Sequence, residues 1–309
     1  MQKRYPITMM CAACIPWTED FKFDEVSFRR EVSHLIEGGA KSIYIFGTSG
    51  EGYSLDTAMF TQIVAVFLDA CKDGEGVMPM VGIISTSMPE MIARIRLAYD
   101  LGARDFQIAC PCWGELNDND LLTFFRIVCG TFPDCRFVHY NNGPRSKTKA
   151  TAAQYVRIAR EVPNLVGAKY STPNMYEIHS LAQADCPMAF YLVDGGYGYG
   201  AMVGTFGLLN SFASVDLDLA WQWFYAGQNK DYAKLVDLTT MSMRLSDALG
   251  VVNRPLMDSA LDKTIERVAD SRFSNKLYPP YEGLTEEEFA VVDQGMKQVL
   301  AEYRQKYQA

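Results

Sequence analysis

The sequence predicts an α/β protein, a (β/α)8 or TIM barrel followed by a small C-terminal helical domain. Short apolar runs alternate with amphipathic stretches from about residue 8 to residue 212. A helix stop followed directly by a strand recurs, as GGAKSIYIF and as LGARDFQIA. From about residue 216 onward the strand signal ends and long helical stretches follow, such as TEEEFAVVDQGMKQVLAEYRQKY. We therefore expect the barrel to occupy residues 1–225 and the helical domain residues 226–309.

Eight apolar runs are predicted to be strands. They are 8–14, 42–46, 78–83, 105–109, 136–140, 165–169, 189–193 and 205–210. The segments between them have helical spacing. In the first segment Phe28, Val32 and Leu35 fall on one face, Asp24 is placed to cap the start and Gly38 the end. Eight such units match a TIM barrel, for which about 250 residues is typical and whose active residues lie at the C-terminal ends of the strands.

Composition and charge exclude several classes of protein. The 309 residues are 49% hydrophobic, which is enough for one large and one small domain. The net charge is -8 and no Lys/Arg cluster is interleaved with aromatics, so nucleic-acid binding is not expected. The N-terminus, MQKRYPITMMCAACIPW, has only a broken apolar stretch, which predicts neither a signal peptide nor a membrane span. We expect a cytoplasmic protein without a membrane partner.

The cysteines and histidines do not form a recognisable metal motif. Eight cysteines in a chain of this length do not make a disulfide framework and are expected to be reduced. Cys11 and Cys14 have CxxC spacing, but no second CxxC or nearby histidine completes a zinc set. The three histidines are far apart in the chain. The sequence therefore predicts no metal site.

The predicted sixth strand, LVGAK, ends on Lys169, where a barrel places its chemistry. Because side chains alternate along a strand, Gly167 and Lys169 share one face and Ala168 takes the other. An ammonium in an apolar barrel mouth loses solvation, so we expect a lowered pKa and a neutral amine that can attack a carbonyl carbon. The alternative is a lysine that extends into water at the end of the strand.

Two further segments fall at predicted strand ends. Tyr140 ends strand five in RFVHYNNGPR and shares a face with Val138. This places its phenol next to the lysine, where it can pass protons. His139 points the other way, toward the helices, and is expected to be a structural residue. The alternative for Tyr140 is a core tyrosine with a satisfied hydroxyl.

The segment GTSGEGYSL follows strand two. Its backbone amides, with the hydroxyls of Thr48 and Ser49, are candidates to bind a carboxylate near a helix N-terminus. This loop lacks the GxGxxG and GK[ST] patterns of nucleotide sites.

The order GTSGEG, YNNGPR and VGAK resembles the dihydrodipicolinate synthase and N-acetylneuraminate lyase family of Schiff-base aldolases, over about residues 8–212 and with a compatible helical tail. The resemblance implies that Lys169 forms an imine with the keto carbon of pyruvate, without a metal or organic cofactor. It implies Tyr140 as proton donor and acceptor, Thr48 as its relay, and Ser49 with Gly50 in the pyruvate carboxylate site. It also implies a homo-oligomer, commonly a tetramer.

The residues that would bind the second substrate match two branches of that family. Arg145 matches an arginine that binds the second carboxylate in the synthases and is missing from sialate lyases. Cys112 and Trp113, however, stand where the synthases have two tyrosines. Asp194 matches an aspartate of the sialate lyases that contacts substrate hydroxyls, although Gly195 replaces their following glutamate. Hydroxyl positions of the same pocket match two serines, Ser171 and Ser211.

These features together predict a pyruvate-dependent, imine-forming aldolase or lyase. The expected substrate is a 2-oxo acid, either a 2-keto-3-deoxy sugar acid or an N-acetylneuraminate-like compound, which is made from or cleaved to pyruvate and an aldehyde. Three alternatives remain open: a 4-hydroxy-tetrahydrodipicolinate synthase, a 2-keto-3-deoxy sugar acid dehydratase, and a ligand-binding regulator on a barrel scaffold.

Overall fold

The computed structural model describes residues 4–308 and contains a closed barrel of eight parallel strands in sequence order, with the last strand paired to the first. This confirms the predicted fold class and all eight strands. The ends differ by a few residues: the second strand stops at Ile45 because Phe46 takes a positive φ of 60°. The strands are β1 (Met9–Ala12), β2 (Ser42–Ile45), β3 (Met78–Ile83), β4 (Asp105–Ile108), β5 (Arg136–Asn141), β6 (Leu165–Tyr170), β7 (Ala189–Val193) and β8 (Gly207–Leu209).

Helices connect successive strands, as the recurring helix-to-strand pattern predicts. Asp24 caps the first of them by accepting a hydrogen bond from the amide of Ser27, and Asp56 caps the second through the amide of Met59. The connecting helices are α1 (Glu25–Glu37), α2 (Thr57–Cys71), α3 (Met88–Asp100), α4 (Asp118–Gly130), α5 (Gly143–Ser146), α6 (Ala152–Glu161), α7 (Met175–Gln183) and α8 (Asp194–Val203).

The C-terminal part of the chain is helical, as predicted. After a short 3-10 helix, Ala213–Val215, come α9 (Leu217–Gln228), α10 (Tyr232–Leu249), α11 (Asp258–Ala269) and α12 (Glu286–Tyr307). Helix α10 packs on α8, α9 and α12, and α11 packs on the 3-10 helix that follows β8. The division into two domains at residue 225 stays a prediction.

Helix α11 is fixed to the barrel by a buried ion pair. Lys263 and Glu51 are both fully buried, and the ammonium donates to the Glu51 carboxylate and to the backbone oxygen of Lys276. Glu51 also accepts hydrogen bonds from the Trp17 indole, at 2.7 Å, and from the Tyr278 amide, at 2.8 Å. Because Glu51 belongs to the GTSGEG loop after β2, this network attaches α11 to the mouth of the barrel.

His139 is a structural residue, as its position on β5 predicts. Its ring nitrogens contact the Tyr155 hydroxyl at 2.7 Å and the Cys110 sulfur at 3.3 Å, on the helix side of the strand. Burial lowers the pKa of the imidazole from 6.5 to about 3.

This lowered pKa predicts a specific sensitivity to acid. Below pH 6.5 the unfolded chain takes up a proton at His139 and the folded chain does not, so the free energy of unfolding falls as the pH falls. Between pH 6.5 and 5 we expect the wild type to lose stability relative to His139→Asn by on the order of 1 kcal/mol per pH unit. Urea titrations at several pH values measure this, and parallel pH profiles of the two proteins would contradict it.

The cysteines are free thiols: Cys112 and Cys186 are half-buried and the other six are buried. Within residues 4–308 no helix combines the length and the apolar character needed to cross a bilayer.

Candidate active site

Lys169 and Tyr140 lie side by side in the barrel mouth. They are register partners on β6 and β5, and the next strand places Tyr191 beside Lys169. The lysine side chain is only 6% exposed, which excludes the alternative of an amine extending into water. Its Nζ lies 4.2 Å from the centroid of the Tyr140 ring and 4.7 Å from that of Tyr44, and it donates to the Tyr44 hydroxyl at 2.9 Å.

The expectation of a lowered lysine pKa is wrong. Burial lowers the pKa of the Lys169 ammonium, but the phenol groups of Tyr140 and Tyr44 raise it further than burial lowers it, so the pKa lies above its ordinary value. The apolar strand pattern suggested only desolvation, because it did not show that Tyr44, on β2, reaches the same amine. The resting lysine is therefore an ammonium that must lose a proton before it can attack a carbonyl.

Removing the Tyr44 hydroxyl is expected to shift the pH dependence of imine formation. Tyr44→Phe keeps the aromatic face but loses the 2.9 Å hydrogen bond that favours the ammonium, so the lysine pKa falls. The rise of imine formation with pH should move to lower pH than in the wild type. Borohydride trapping with pyruvate across a pH series measures the midpoint, and a midpoint that stays or moves to higher pH would contradict the effect assigned to Tyr44.

The Tyr140 hydroxyl joins two polar groups at the end of β5. It lies 3.0 Å from the Thr48 hydroxyl and accepts a hydrogen bond from the Asn142 side chain at 3.2 Å. Thr48 comes from the loop after β2, so residues of two strand ends meet at this phenol. Such a chain of hydroxyls has the geometry to move a proton between the lysine side of the cavity and Thr48.

Tyr140→Phe is expected to lower kcat by roughly 10²- to 10³-fold, because the ring and its contact with the ammonium remain while the proton carrier is lost. Imine trapping at Lys169 should survive in this variant. The exposed Tyr225→Phe is a matched control with unchanged kcat. Steady-state kinetics with borohydride trapping test this, and a Tyr140→Phe enzyme with wild-type kcat would remove the proton role from Tyr140.

The GTSGEG loop places only part of its predicted residues in the cavity. Thr48 and Ser49 line the cavity. Gly50 packs behind it: a Cβ there would lie 2.5 Å from the Phe46 nitrogen, so this position requires glycine for close approach of the backbone. The first amides of α2 are also unavailable, because α2 begins at Thr57 and Asp56 caps it. A carboxylate in the cavity therefore has the Ser49 region, and not a helix N-terminus, as its partner.

The remaining predicted residues divide into two groups. Ser171 and Ser211 line the cavity with Lys169. Asp194, in contrast, accepts a hydrogen bond from the Ser211 amide at 3.2 Å and so supports the loop that carries Ser211. Burial raises the pKa of the Asp194 carboxyl to about 6. Arg145 points to a neighbouring cavity of about 520 Å³ and donates to Asp258 at 2.7 Å. Six of the nine predicted residues thus meet at one cavity, and Gly50, Asp194 and Arg145 do not line it.

The catalytic cavity, of about 260 Å³, has lining residues that the sequence analysis missed. Helix α11 contributes three acidic side chains, and the barrel adds a phenol and two amides. The missed residues are Tyr44, Asn142, Asn210, Asp258, Asp262 and Glu266. The spacing of the three acids, at i, i+4 and i+8 of one helix, was a signal that they share a face.

Burial favours the protonated forms of two of these acids, Asp262 and Glu266. It raises the pKa of Asp262 to about 7 and that of Glu266 to about 8. Potential ligand atoms of Cys14, Glu31 and Glu266 lie within 4.8 Å of one another, but burial also raises the pKa values of Cys14 and Glu31. A metal binds the deprotonated forms of such groups, so we assign this trio no metal.

Comparison with known proteins decides the family. The model of the dihydrodipicolinate synthetase family matches residues 6–255. The chain belongs to this family. A 4-hydroxy-tetrahydrodipicolinate synthase of Rhizobium meliloti is 28% identical over 250 residues, which are 79% of this chain and 83% of that protein. A synthase of Brucella abortus is 26% identical over 249 residues, with the same shares of 79% and 83%.

Solved structures of the family have the same fold. YagE of Escherichia coli K12, a prophage protein in complex with pyruvate, superposes with a TM-score of 0.87 at 16% identity, covering 95% of this chain and 98% of that one. A putative dihydrodipicolinate synthetase of Pseudomonas aeruginosa gives 0.85 at 21% identity, covering 96% and 100%. The family consists of class I aldolases, which are carbon-carbon lyases that use a lysine imine with pyruvate and need no metal or organic cofactor.

Proposed function

We propose that this protein is a pyruvate-dependent aldolase that cleaves or forms a 2-keto-3-deoxy sugar acid through an imine at Lys169. The observation that carries the proposal is the buried amine of Lys169 beside Tyr140, whose hydroxyl meets Thr48. A nucleophile with an adjacent proton carrier is what imine chemistry requires. Acidic residues and two asparagines around the amine favour a second substrate rich in hydroxyl groups.

In the proposed reaction the neutral Lys169 amine attacks the keto carbon of the bound 2-oxo acid. The resulting carbinolamine loses water with a proton supplied through Tyr140, which leaves a protonated imine. Tyr140, left as a phenolate by this dehydration, takes the proton of the C4 hydroxyl as the C3 to C4 bond breaks. The bonding electrons move to the imine nitrogen, and an aldehyde leaves. Tyr140 then protonates C3 of the enamine, and water releases pyruvate from the lysine. Ser49 is proposed to bind the carboxylate of the 2-oxo acid.

A panel of 2-keto-3-deoxy sugar acids and N-acetylneuraminate, assayed for released pyruvate, tests this proposal. We expect pyruvate release from at least one sugar acid and its loss in Lys169→Met. A product that keeps all the carbons, with no pyruvate, would instead identify the dehydratase alternative. Failure of every compound on the panel, with turnover of pyruvate and L-aspartate semialdehyde, would replace the proposal with the synthase.

The synthase remains the second candidate for a specific reason. The curated relatives are named 4-hydroxy-tetrahydrodipicolinate synthases, and this chain has Arg145 at the position that the resemblance assigns to the second carboxylate. Against it, Arg145 pairs with Asp258 and does not line the cavity with Lys169. Arg145→Ala separates the two functions, because it should abolish condensation with L-aspartate semialdehyde and leave sugar acid cleavage largely intact.

The non-enzymatic alternative is a regulator that binds pyruvate without turnover. It requires neither a nucleophile nor a proton carrier, so the contact between Tyr140 and Thr48 argues against it. Exchange of the pyruvate methyl protons with D2O, followed by NMR, distinguishes the two. We expect exchange in the wild type, and binding of pyruvate without any exchange would favour the regulator.

We also propose that the enzyme is a cytoplasmic homo-oligomer. The resemblance to the family implies an assembly that is commonly a tetramer. Apolar side chains on the surface support a self-associating protein: Trp113 and Tyr176 are each 86% exposed, and Met175 is 58% exposed. Sedimentation velocity tests the assembly, and a monomer at micromolar concentration would contradict it.

A further inference from the structure

Helix α11 brings an acidic face to the cavity that holds Lys169. Asp258, Asp262 and Glu266 all line this cavity, although the helix belongs to the C-terminal part of the chain and not to the barrel. The family match ends at residue 255, before α11 begins. The acidic face thus lies outside the residues that the family model matches, although solved structures of the family superpose on 95% of the chain.

The position of this face is determined by contacts on the same helix. Lys263, next to Asp262, is bound to Glu51 in the buried ion pair that attaches α11 to the barrel. One turn earlier, the Ser259 hydroxyl lies 2.8 Å from the Tyr53 hydroxyl of the loop after β2. Side chains on a helix anchored at two points are held in place, which a binding site for a small substrate requires.

The Asp262 carboxyl has hydrogen-bonding capacity that the protein itself does not use. Within residues 4–308 no hydrogen bond to the Asp262 side chain is found, although this residue lines the cavity. A hydroxyl of a bound molecule would therefore find a free hydrogen-bonding partner at this carboxyl.

The charges in the cavity favour one class of second substrate. Lys169 is the cation among the cavity-lining residues, and it is bonded to the first substrate once the imine forms. Arg145 is paired with Asp258 and lines the neighbouring cavity. A second carboxylate beside α11 would therefore meet carboxyl groups and, among the described residues, no unpaired lysine or arginine, whereas hydroxyl groups of a substrate would form hydrogen bonds with those carboxyl groups.

We infer that the face of α11 formed by Asp262 and Glu266 is the subsite for the distal hydroxyl groups of the second substrate, and that it selects against aldehydes with a distal carboxylate. This inference rests on the proposed aldolase function and deepens it by assigning the selection to the C-terminal part of the chain. Asp262 is the main specificity residue, because its carboxyl lines the cavity without a protein partner.

Condensation of pyruvate with three aldehydes tests the inference. Glyceraldehyde has hydroxyl groups, propionaldehyde has none, and succinic semialdehyde has a distal carboxylate. The variants are Asp262→Asn, which is nearly isosteric, and Glu266→Gln as a second change in the same face. Asp247→Asn, at an exposed position of α10, is the matched control. Borohydride trapping of pyruvate is measured on each protein in parallel.

In Asp262→Asn we expect kcat/KM for glyceraldehyde to fall roughly 10- to 100-fold, with little change for propionaldehyde and a gain for succinic semialdehyde. Glu266→Gln should change the preference in the same direction, and Asp247→Asn should match the wild type. An unchanged preference, or an equal loss for all three aldehydes with imine trapping intact, overturns the assignment of this subsite. Absence of a trapped adduct in the wild type would instead overturn the aldolase proposal on which the inference rests.

Discussion

Lys169→Met is expected to abolish turnover, with kcat/KM falling by roughly 10⁴-fold or more, because methionine fills the same space and cannot form an imine. Every proposed step after substrate binding uses the lysine nitrogen, either as nucleophile or as the atom that accepts the bonding electrons. Unlike the buried Lys263, Lys169 has no carboxylate partner in its side-chain contacts. Its replacement should therefore leave the fold intact.

Two controls make the Lys169 result specific. Lys297→Met removes an exposed lysine of α12 that pairs with Asp293, and it should leave kcat/KM unchanged. Lys169→Arg keeps a positive charge and should be as inactive as Lys169→Met, because a guanidinium stays protonated and is not nucleophilic. An arginine variant with substantial turnover would show that the charge of Lys169, and not covalent chemistry, matters.

Lys263→Met is expected to lower the free energy of unfolding by about 3–5 kcal/mol, because it leaves the Glu51 carboxylate buried without its counter-ion. The effect is large because both side chains are fully buried, where water cannot replace the lost partner. The loop after β2 and helix α11 meet at this pair, so the variant should also lose affinity for the second substrate. Urea unfolding followed by circular dichroism measures the stability.

A double variant of the Lys263 and Glu51 ion pair is compared with the two single variants. The double variant Glu51→Gln with Lys263→Met removes both charges, so neither partner is left charged without a counter-ion. It should lower the free energy of unfolding by less than the sum of the two single changes. Breaking the exposed pair of Lys297 and Asp293 should change stability by about 1 kcal/mol or less. Equal effects of Lys263→Met and Lys297→Met would mean that the buried pair does not fix α11.

The barrel could be predicted because its signals are local and repeated. Each strand is a short apolar run, and six of the eight connecting helices begin with a side-chain cap such as Asp24 or Asp56. Alternation along β5 and β6 was enough to direct Tyr140 and Lys169 inward and His139 outward, since the barrel places strand ends at one mouth.

The properties that escaped prediction depend on contacts between distant segments. The lysine pKa was expected to fall, yet Tyr44, 125 residues away in the chain, presents its aromatic face to the ammonium and accepts a hydrogen bond from it. Asp262 and Glu266 belong to a helix that follows the barrel by many residues. No local pattern indicates that such a helix returns to the mouth, since the attachment is made by Lys263 and Glu51.

Reduction of the protein with borohydride in the presence of pyruvate tests the central claim most directly. We predict that each chain gains the mass of one pyruvic acid less one oxygen atom, and that peptide mapping locates the addition on Lys169. Tyr140→Phe should still show this adduct, and Lys169→Met should not. A wild-type protein that gains no mass, or that gains it on another lysine, would contradict the account.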